Sequence, residues 1–212
     1  MSIGIMDNLG RSFGYTKDKL GGNPGTWLIL VILNLIPIVN WIVYGTYVRV
    51  LRGGDPKLEN IGKSFVDGLL AYIICILYLF IPAVLSLALV FFLGYDTSAG
   101  PSAIFTGLTP AGIVLMIACI ILFVLFILLL VPALVNFARN GFGAGFRFGE
   151  IFGMIAKVGW LKYILAVVVI VIIFCIICLL GLIPYYIGII ILLILIPYLK
   201  VWGANYFRNL FM

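Results

Sequence analysis

Four long hydrophobic segments constrain the fold of this chain more than any other feature of its sequence. Each contains about 20 or more mainly apolar residues, which is the length an α-helix needs to cross the hydrocarbon core of a bilayer. Apolar and polar residues do not alternate along them as they do in the strands of a membrane barrel, so we predict helices. The four predicted transmembrane helices are residues 69–93, 111–135, 161–180 and 183–202.

The composition agrees with a membrane solvent. Of the 212 residues, 65% are hydrophobic and 9% are charged, whereas about a quarter of a soluble domain is charged. We predict an all-α, polytopic helical bundle that forms a single membrane domain over residues 1–212. The chain contains no histidine, the commonest general base and metal ligand. We therefore expect no catalytic residue, no metal and no cofactor, and we do not expect an enzyme.

Basic residues occur in alternate connections between the predicted spans. They lie in residues 49–67 and 136–162, and the C-terminal tail carries Lys200 and Arg208, whereas residues 94–110 contain no Lys or Arg. The positive-inside rule places the basic loops and the C-terminus in the cytoplasm. We therefore expect a multi-pass plasma-membrane protein. Its net charge of +6 suits contact with anionic lipid head groups and not with nucleic acid.

Residues 27–51 form a fifth hydrophobic segment with two interpretations. Pro37 interrupts a helix near its middle, and Asn34 and Asn40 flank that proline, where they could cap the freed backbone groups. One interpretation is a re-entrant hairpin that turns near Pro37, which keeps the basic N-terminal residues on the cytoplasmic side. The other is an ordinary span kinked by proline, which is frequent in transmembrane helices.

Three further segments are predicted to lie at the cytoplasmic surface. Residues 1–25 form an amphipathic tail. Residues 56–67 form an interfacial helix, because Asp55 and Pro56 resemble an N-cap followed by proline at the first helical position. Residues 141–158 form a glycine-striped interfacial helix.

The glycine stripe is predicted to pack against a neighbouring helix. Its residues recur at four-residue spacing, which places small residues on one helix face and allows close backbone approach. Basic side chains beside the stripe, Arg139 and Arg147, are candidates for contact with lipid head groups. The candidate packing residues are Gly141, Gly145, Gly149 and Gly153.

Two classes of function remain open from the residues. The predicted span interiors lack ionisable groups, which favours a non-catalytic module: a scaffold, a partner subunit or an envelope-organising protein, with a protein partner or a second copy of the chain. The alternative is a passive transporter, channel or lipid-handling protein with a site at the proline-broken helices. A cavity with a hinge would then be formed by Asn34, Pro37, Asn40 and Asn136.

Two stretches carry a resemblance to a known family. Residues 35–53 and 64–82 contain Pro37, then a Gly-x-Tyr pattern with two arginines, then a Phe-x-x-Gly-Leu pattern; Arg49 stands one position earlier than in the family. Residues 130–166 add "LVPALVNFARNGFGAGFRFGEIFGMIAKVGWLKYILA". The chain resembles an uncharacterised prokaryotic, mainly archaeal, membrane family, the domain of unknown function four-zero-one-three. It is also distantly similar to membrane domains of glycerophosphodiester phosphodiesterases. The resemblance implies an integral membrane protein without a known activity. The family pattern falls on Pro37, Gly45, Tyr47, Arg49, Arg52, Phe65, Gly68 and Leu69.

Overall fold

The structure is a computed structural model that describes residues 4–92, 110–179 and 185–212. These residues form eight α-helices and no β-strand. The chain divides into two compact units, one of Met1–Ile73 with Val131–Met212 and one of Ile74–Leu130. The helices are α1 (Ile5–Thr16), α2 (Pro24–Asn34), α3 (Asn40–Leu51), α4 (Ile61–Phe92), α5 (Pro110–Asn140), α6 (Phe148–Val158), α7 (Trp160–Leu179) and α8 (Tyr185–Leu210).

Four of these helices are long and apolar enough to cross a membrane, which confirms the predicted helical bundle with four transmembrane helices. The apolar surface faces outward: only 11% of the most hydrophobic part of Ile113–Asn140 is buried inside the protein, so lipid must cover the remainder. Residues 93–109 and 180–184 lie outside the described residues. They contain one predicted limit of each of three spans, at residues 93, 180 and 183. The four candidate spans are Ile61–Ala88, Ile113–Asn140, Trp160–Leu179 and Ile190–Leu210.

Residues 27–51 are not one kinked helix. Helices α2 and α3 have 11 and 12 residues, and the turn at residues 35–39 joins them. The residues on either side of this pair meet, because the Lys19 ammonium lies 2.9 Å from the Asp55 carboxylate. A single span of this length would hold its ends roughly 37 Å apart. The chain therefore forms a helical hairpin, and its re-entrant placement in a membrane stays a prediction.

The helix predicted over residues 56–67 is wrong in its boundaries. Residues 55–60 are not helical, and α4 begins at Ile61 and continues into the span without a break. Asp55 forms an ion pair with Lys19 instead of capping a helix. Asn60, directly before α4, has a φ of 53°, a left-handed conformation that asparagine tolerates. The ion pair and this backbone conformation override the local start signal.

The single helix predicted over residues 141–158 is also wrong. Phe142–Phe146 form a 3-10 helix, and α6 starts only at Phe148. Gly141 and Gly159, at the two ends of the segment, have φ values of 89° and 93°. Residues other than glycine rarely adopt these φ values. The two glycines therefore allow the chain to turn before the 3-10 helix and after α6. The segment is thus a short helical insertion between two spans.

The N-terminal tail contains α1, which packs against the second half of α8. Its buried side chains are polar, namely Asn8, Ser12 and Thr16, while the apolar side chain of Met6 is 77% exposed. The Asn8 amide donates to the Tyr206 carbonyl at 3.0 Å. The face of α1 that meets the protein is therefore largely polar, and its outward face carries the charged Asp7 and Arg11 beside the apolar Met6.

The smaller unit consists of the second half of α4 and the first part of α5. Ile74 and Tyr78 are almost completely buried there, and the Tyr78 ring packs edge-on against the Phe126 ring, with the two centroids 6.1 Å apart. Large side chains on the outer faces are exposed, such as Leu87 at 70%. Aromatic packing inside and aliphatic side chains outside are typical of helices that pack in lipid.

Candidate functional site

Arg52 joins three helices of the larger unit at one end. Its Nε donates to the Ala138 carbonyl at 2.7 Å, and its Nη2 donates to Asp67 Oδ1 at 3.0 Å. Its guanidinium also lies 5.9 Å from the centre of the Phe137 ring, within cation–π range. We call this end, where Arg52, Arg139 and Arg208 lie, the basic end. It contains the C-termini of α3, α5 and α8 and the first turns of α4.

The hairpin returns to the same basic end. The Tyr15 hydroxyl donates to the Gly54 carbonyl at 2.9 Å. Burial and the nearby Asp55 carboxylate raise the pKa of Tyr15 to about 12, so the hydroxyl stays a donor at neutral pH. Together with the pair between Lys19 and Asp55, this bond connects the chain before α2 to the chain after α3.

Ion pairs at the basic end occupy its acidic side chains. Arg49 pairs with Glu59, and the hydrogen bond from Arg49 holds the pKa of Glu59 below its usual range. The carboxylates of Asp55, Glu59, Asp67 and Glu150 each have a basic partner. The four pairs within the described residues are Lys19–Asp55, Arg49–Glu59, Arg52–Asp67 and Arg147–Glu150.

Several basic residues form no ion pair with any residue that the structure describes, and we call four of them, which lie at the basic end, the basic face. They are Lys63, Arg139, Lys157 and Arg208. Arg139 donates only to main-chain oxygens, to Phe211 at 3.2 Å and to Arg208 at 3.5 Å. The Nε of Arg208 is buried and has no acceptor within the described part of the chain. A buried charged donor without an acceptor is costly.

Asn136 organises the segment that follows α5. It is 2% exposed, and its Nδ2 donates to the Ala144 carbonyl at 2.8 Å and to Glu150 Oε2 at 2.9 Å. Its Oδ1 accepts from Asn140 at 2.7 Å. The hydrogen bonds from Asn136 and from Arg147 lower the pKa of Glu150. This one amide therefore holds the 3-10 helix and α6 against the end of α5.

Two pockets open at the basic end. The larger has a volume of about 330 Å³ and is lined by residues of α5 and α6, with Arg139 and Lys157 as its cations. The smaller, of about 240 Å³, lies between α3 and α4 and is lined by the Arg49–Glu59 and Arg52–Asp67 pairs. The larger pocket keeps two unpaired cations, so it is the better candidate for an anionic ligand.

The glycines predicted to form a packing stripe do not do so. A Cβ at Gly141, Gly149 or Gly153 would meet no atom within 4 Å in the described part of the structure, and Gly145 is buried in the 3-10 helix. The close helix crossing is elsewhere. A Cβ at Gly45 would overlap the Ser64 carbonyl oxygen, and one at Gly68 would lie 2.7 Å from the Gly45 nitrogen.

This crossing between α3 and α4 fixes the position of the hairpin. Trp41 packs beside it, with its ring 5.4 Å from the Phe65 ring and 6.3 Å from the Tyr72 ring. Gly45 and Gly68 are 23 positions apart in sequence, and neither shares a helix with the other, so four-residue spacing gave no signal for them.

The predicted cavity of Asn34, Pro37, Asn40 and Asn136 is not formed. The two flanking asparagines and Pro37 lie at the tip of the hairpin, whereas Asn136 lies at the basic end. Helix α3 separates these places by roughly 17 Å. The tip is apolar and outward-facing, with Leu35 and Ile38 exposed.

Asn34 and Asn40 were predicted to cap the helices at the tip, and this prediction is wrong for the start of α3. The residue before α3 is Val39, and no side chain caps the start of that helix. The Oδ1 atoms of Asn34 and Asn40 are buried and accept no hydrogen bond from the described residues. Main-chain bonds stabilise the turn instead, such as the one from the Asn40 amide to the Ile36 carbonyl at 2.8 Å.

Sequence reasoning missed Lys200, which it assigned to the C-terminal tail. The residue lies within α8 and within the candidate span Ile190–Leu210. Its ammonium is 4.4 Å from the centre of the Tyr44 ring and 5.5 Å from that of Tyr47. The signal was present in the sequence, because the predicted transmembrane helix of residues 183–202 already contains Lys200.

These features define a polytopic α-helical membrane protein with a folded basic end. The chain belongs to the family described as protein of unknown function (DUF4013), whose sequence pattern matches residues 29–199. This match covers most of the hairpin, both pockets and Asn136. No curated protein and no solved structure matches the chain.

Proposed function

We propose that the chain is a non-catalytic module of the plasma membrane whose basic face binds anionic lipid head groups on the cytoplasmic side. In this arrangement the four spans cross the bilayer, the hairpin enters and leaves on the cytoplasmic side, and the C-terminus is cytoplasmic. The supporting observation is the imbalance of charge at the basic end. The acids there are engaged in ion pairs, and Arg139 and Arg208 remain without an anionic partner among the described residues.

The positions of these cations fit a head-group contact. Arg139 and Lys157 line one pocket, and Arg139 is the last basic residue of a candidate span. Basic side chains at this depth meet lipid phosphates, and each contributes about 1 kcal/mol to the attraction of an anionic surface. A scaffold or partner subunit needs such a fixed orientation in the membrane, and a protein partner or second copy would bind on the same face.

The proposal is tested by native mass spectrometry of the purified protein with added phosphatidylglycerol or phosphatidylcholine. We expect preferential retention of phosphatidylglycerol. The double variant R139Q/K157Q should bind it about 30-fold more weakly, since two contacts of about 1 kcal/mol each are lost. The matched control is K57Q, an exposed lysine outside the pocket, which should leave binding unchanged. Equal retention of both lipids by the wild-type protein would overturn the proposal.

A second candidate function is passive transport or lipid handling at the broken helix. One observation favours it: Lys200, a charged residue within a candidate span, contacts the hairpin arm through Tyr44. Charged residues inside spans commonly mark transport pathways. Movement of a fluorescent phospholipid across proteoliposome bilayers tests this candidate, and a rate equal to that of empty liposomes would exclude lipid movement.

A further inference from the structure

Lys200 is a half-buried cation within the candidate span Ile190–Leu210. It lies eight residues before Arg208 on the same helix, which places it about 12 Å from the basic end along the axis. Its nearest polar contact is the Tyr44 hydroxyl, at 3.4 Å from Nζ. Above and beside it are the rings of Tyr44 and Tyr47, and its neighbour in sequence, Val201, is completely buried.

This lysine has no carboxylate partner in the part of the chain that the structure describes. An ammonium has three N–H donors, and the single bond to Tyr44 is long. The two tyrosine rings provide cation–π attraction, worth up to about 2 kcal/mol when water is excluded. That attraction offsets only part of the cost of holding a charge in an apolar cluster, so an anion is the missing partner.

Tyr47 gives a second, independent sign of a ligand. Its side chain is 7% exposed, and its hydroxyl is buried without a hydrogen-bond partner among the described residues. Buried hydroxyl groups are almost always bonded. Tyr47 shares one core cluster with Leu20, Val43 and Val201. An unused O–H donor thus lies in the same cluster that the lysine contacts.

We propose that Lys200, Tyr44 and Tyr47 form a binding site for the oxyanion head of a membrane amphiphile, a carboxylate or phosphate group attached to an acyl chain. The ammonium supplies the charge, and the hydroxyl of Tyr47 supplies a neutral donor. The apolar surroundings select an amphiphile over a free ion, because the exposed faces of α2 and α8 further towards the hairpin tip are aliphatic, such as Ile32 and Ile190. Ile190 lies about 15 Å from Lys200 along α8. An acyl chain would lie along such a surface.

This inference does not depend on the proposed function, because it uses none of the basic-face residues. Binding at the basic face should be weakened in R139Q/K157Q and retained in K200M, and binding at the lysine site should show the opposite pattern. The failure of one proposal is therefore distinguishable from the failure of the other.

The experiment measures binding of oleate to the purified full chain in a non-ionic detergent, with methyl oleate as the uncharged control and inorganic phosphate as the free anion. We expect saturable binding of oleate, at least about tenfold weaker binding in K200M, and a smaller loss in Y47F. Methyl oleate and inorganic phosphate should not compete. The matched control is K57M, which should bind oleate as the wild-type protein does.

A second measurement separates a binding role from a structural one. Without ligand, K200M should unfold at the same or a higher temperature than the wild-type protein, because an unpaired charge leaves the apolar cluster. Oleate should raise the unfolding temperature of the wild-type protein and not that of K200M. Equal stabilisation of both proteins, or competition by inorganic phosphate, would overturn the assignment of an amphiphile site.

Discussion

The Lys19 ammonium and the Asp55 carboxylate lie 2.9 Å apart, although 36 positions and a complete helical hairpin separate them in sequence. Because of this pair, the chain before α2 and the chain after α3 lie at the same end of the hairpin. In a membrane they would therefore lie on the same side. Each arm of about 11 or 12 residues is roughly 17 Å long, about half the hydrocarbon thickness of a bilayer.

The first prediction concerns the side of the membrane on which the two ends of the hairpin lie. We expect G10C and K57C to react with a membrane-impermeant thiol reagent only from the cytoplasmic side. Gly10 is suitable because a Cβ there would meet nothing described within 4 Å, whereas Ser12 is completely buried. The background requires replacement of the four free cysteines, Cys75, Cys119, Cys175 and Cys178. Labelling of the two positions from opposite sides would rule out the re-entrant hairpin.

The second prediction concerns the crossing of α3 and α4. Gly45→Ala should destabilise the protein by about 1–3 kcal/mol or more, because the new methyl group overlaps the Ser64 carbonyl and the helices must separate. Gly62→Ala is the matched control in the first turn of α4, where a Cβ meets nothing described within 4 Å. It should be neutral or stabilising by up to about 1 kcal/mol, since alanine favours helix. Thermal unfolding in detergent, followed by tryptophan fluorescence, measures both.

The same measurement distinguishes this crossing from the predicted glycine stripe. Gly153→Ala in α6 should behave like Gly62→Ala, because its surroundings are open. If Gly153→Ala were as destabilising as Gly45→Ala, the stripe would be a packing surface after all.

The third prediction concerns pH and Glu150. Its pKa is lowered by hydrogen bonds from Asn136 and Arg147, so its folded pKa lies below the unfolded value of about 4.3. Its contribution to stability is therefore complete above the unfolded pKa and is lost as the pH falls through the folded pKa. E150Q should lower the unfolding temperature at about pH 7 and should show a smaller further loss on acidification to about pH 3.

The control for this titration is Gly62→Ala, which changes no titratable group and has open surroundings, and which should lose stability on acidification as the wild-type protein does. A wild-type protein and an E150Q variant with parallel losses on acidification would show that Glu150 does not titrate in the folded state as described. Part of the acid sensitivity will persist in E150Q, because the pKa of Glu59 is lowered in the same direction.

The fourth prediction concerns the docking of α1 on α8. Asn8 donates to the Tyr206 carbonyl at 3.0 Å and accepts from the Asn209 amide at 3.1 Å. Asn8→Ala removes both bonds, although the Asn209 amide keeps its bonds to Asn205 and Ser12. The loss of these two contacts between α1 and α8 costs about 1–3 kcal/mol. We expect faster trypsin cleavage after Arg11 in this variant, because α1 detaches. D7A, one residue earlier but exposed, should be cleaved at the wild-type rate; equal rates in all three proteins would show that the polar stripe does not hold α1.

The parts of the fold that the sequence predicted depend on solvent and on local chemistry. The four spans could be predicted from the length and hydropathy of the segments, because the thickness of the bilayer sets the length of apolar helix that a span needs. The break at Pro37 follows from the missing amide hydrogen and the ring of proline. The parts that were wrong depend on tertiary contacts. Asp55 and Pro56 have the local pattern of a helix start, but Asp55 pairs with Lys19, and no local pattern specifies that partner.

The candidate site was predicted only in part. Arg139 and Arg147 were predicted to lie together in one basic loop and to contact lipid head groups, and the contact with lipid stays a prediction. Which cations have no acidic partner depends on pairs such as Arg52 with Asp67. This pair joins α3 to α4, and no local sequence pattern specifies it. Lys200 was overlooked because its position near the end of the chain suggested a tail, whereas the helix continues to Leu210.

The docking of α1 on α8 also has a consequence for biogenesis. Asn8 and Tyr206 are 198 positions apart, so the ribosome must synthesise all the residues between them before the polar stripe of α1 has a surface to bind. At about 5–20 residues per second this interval is roughly 10–40 s. During that time α1 must stay at the membrane surface or be bound by a chaperone, while the spans insert. The docking of α1 is therefore a late event, which follows the synthesis of every span between α1 and the end of α8.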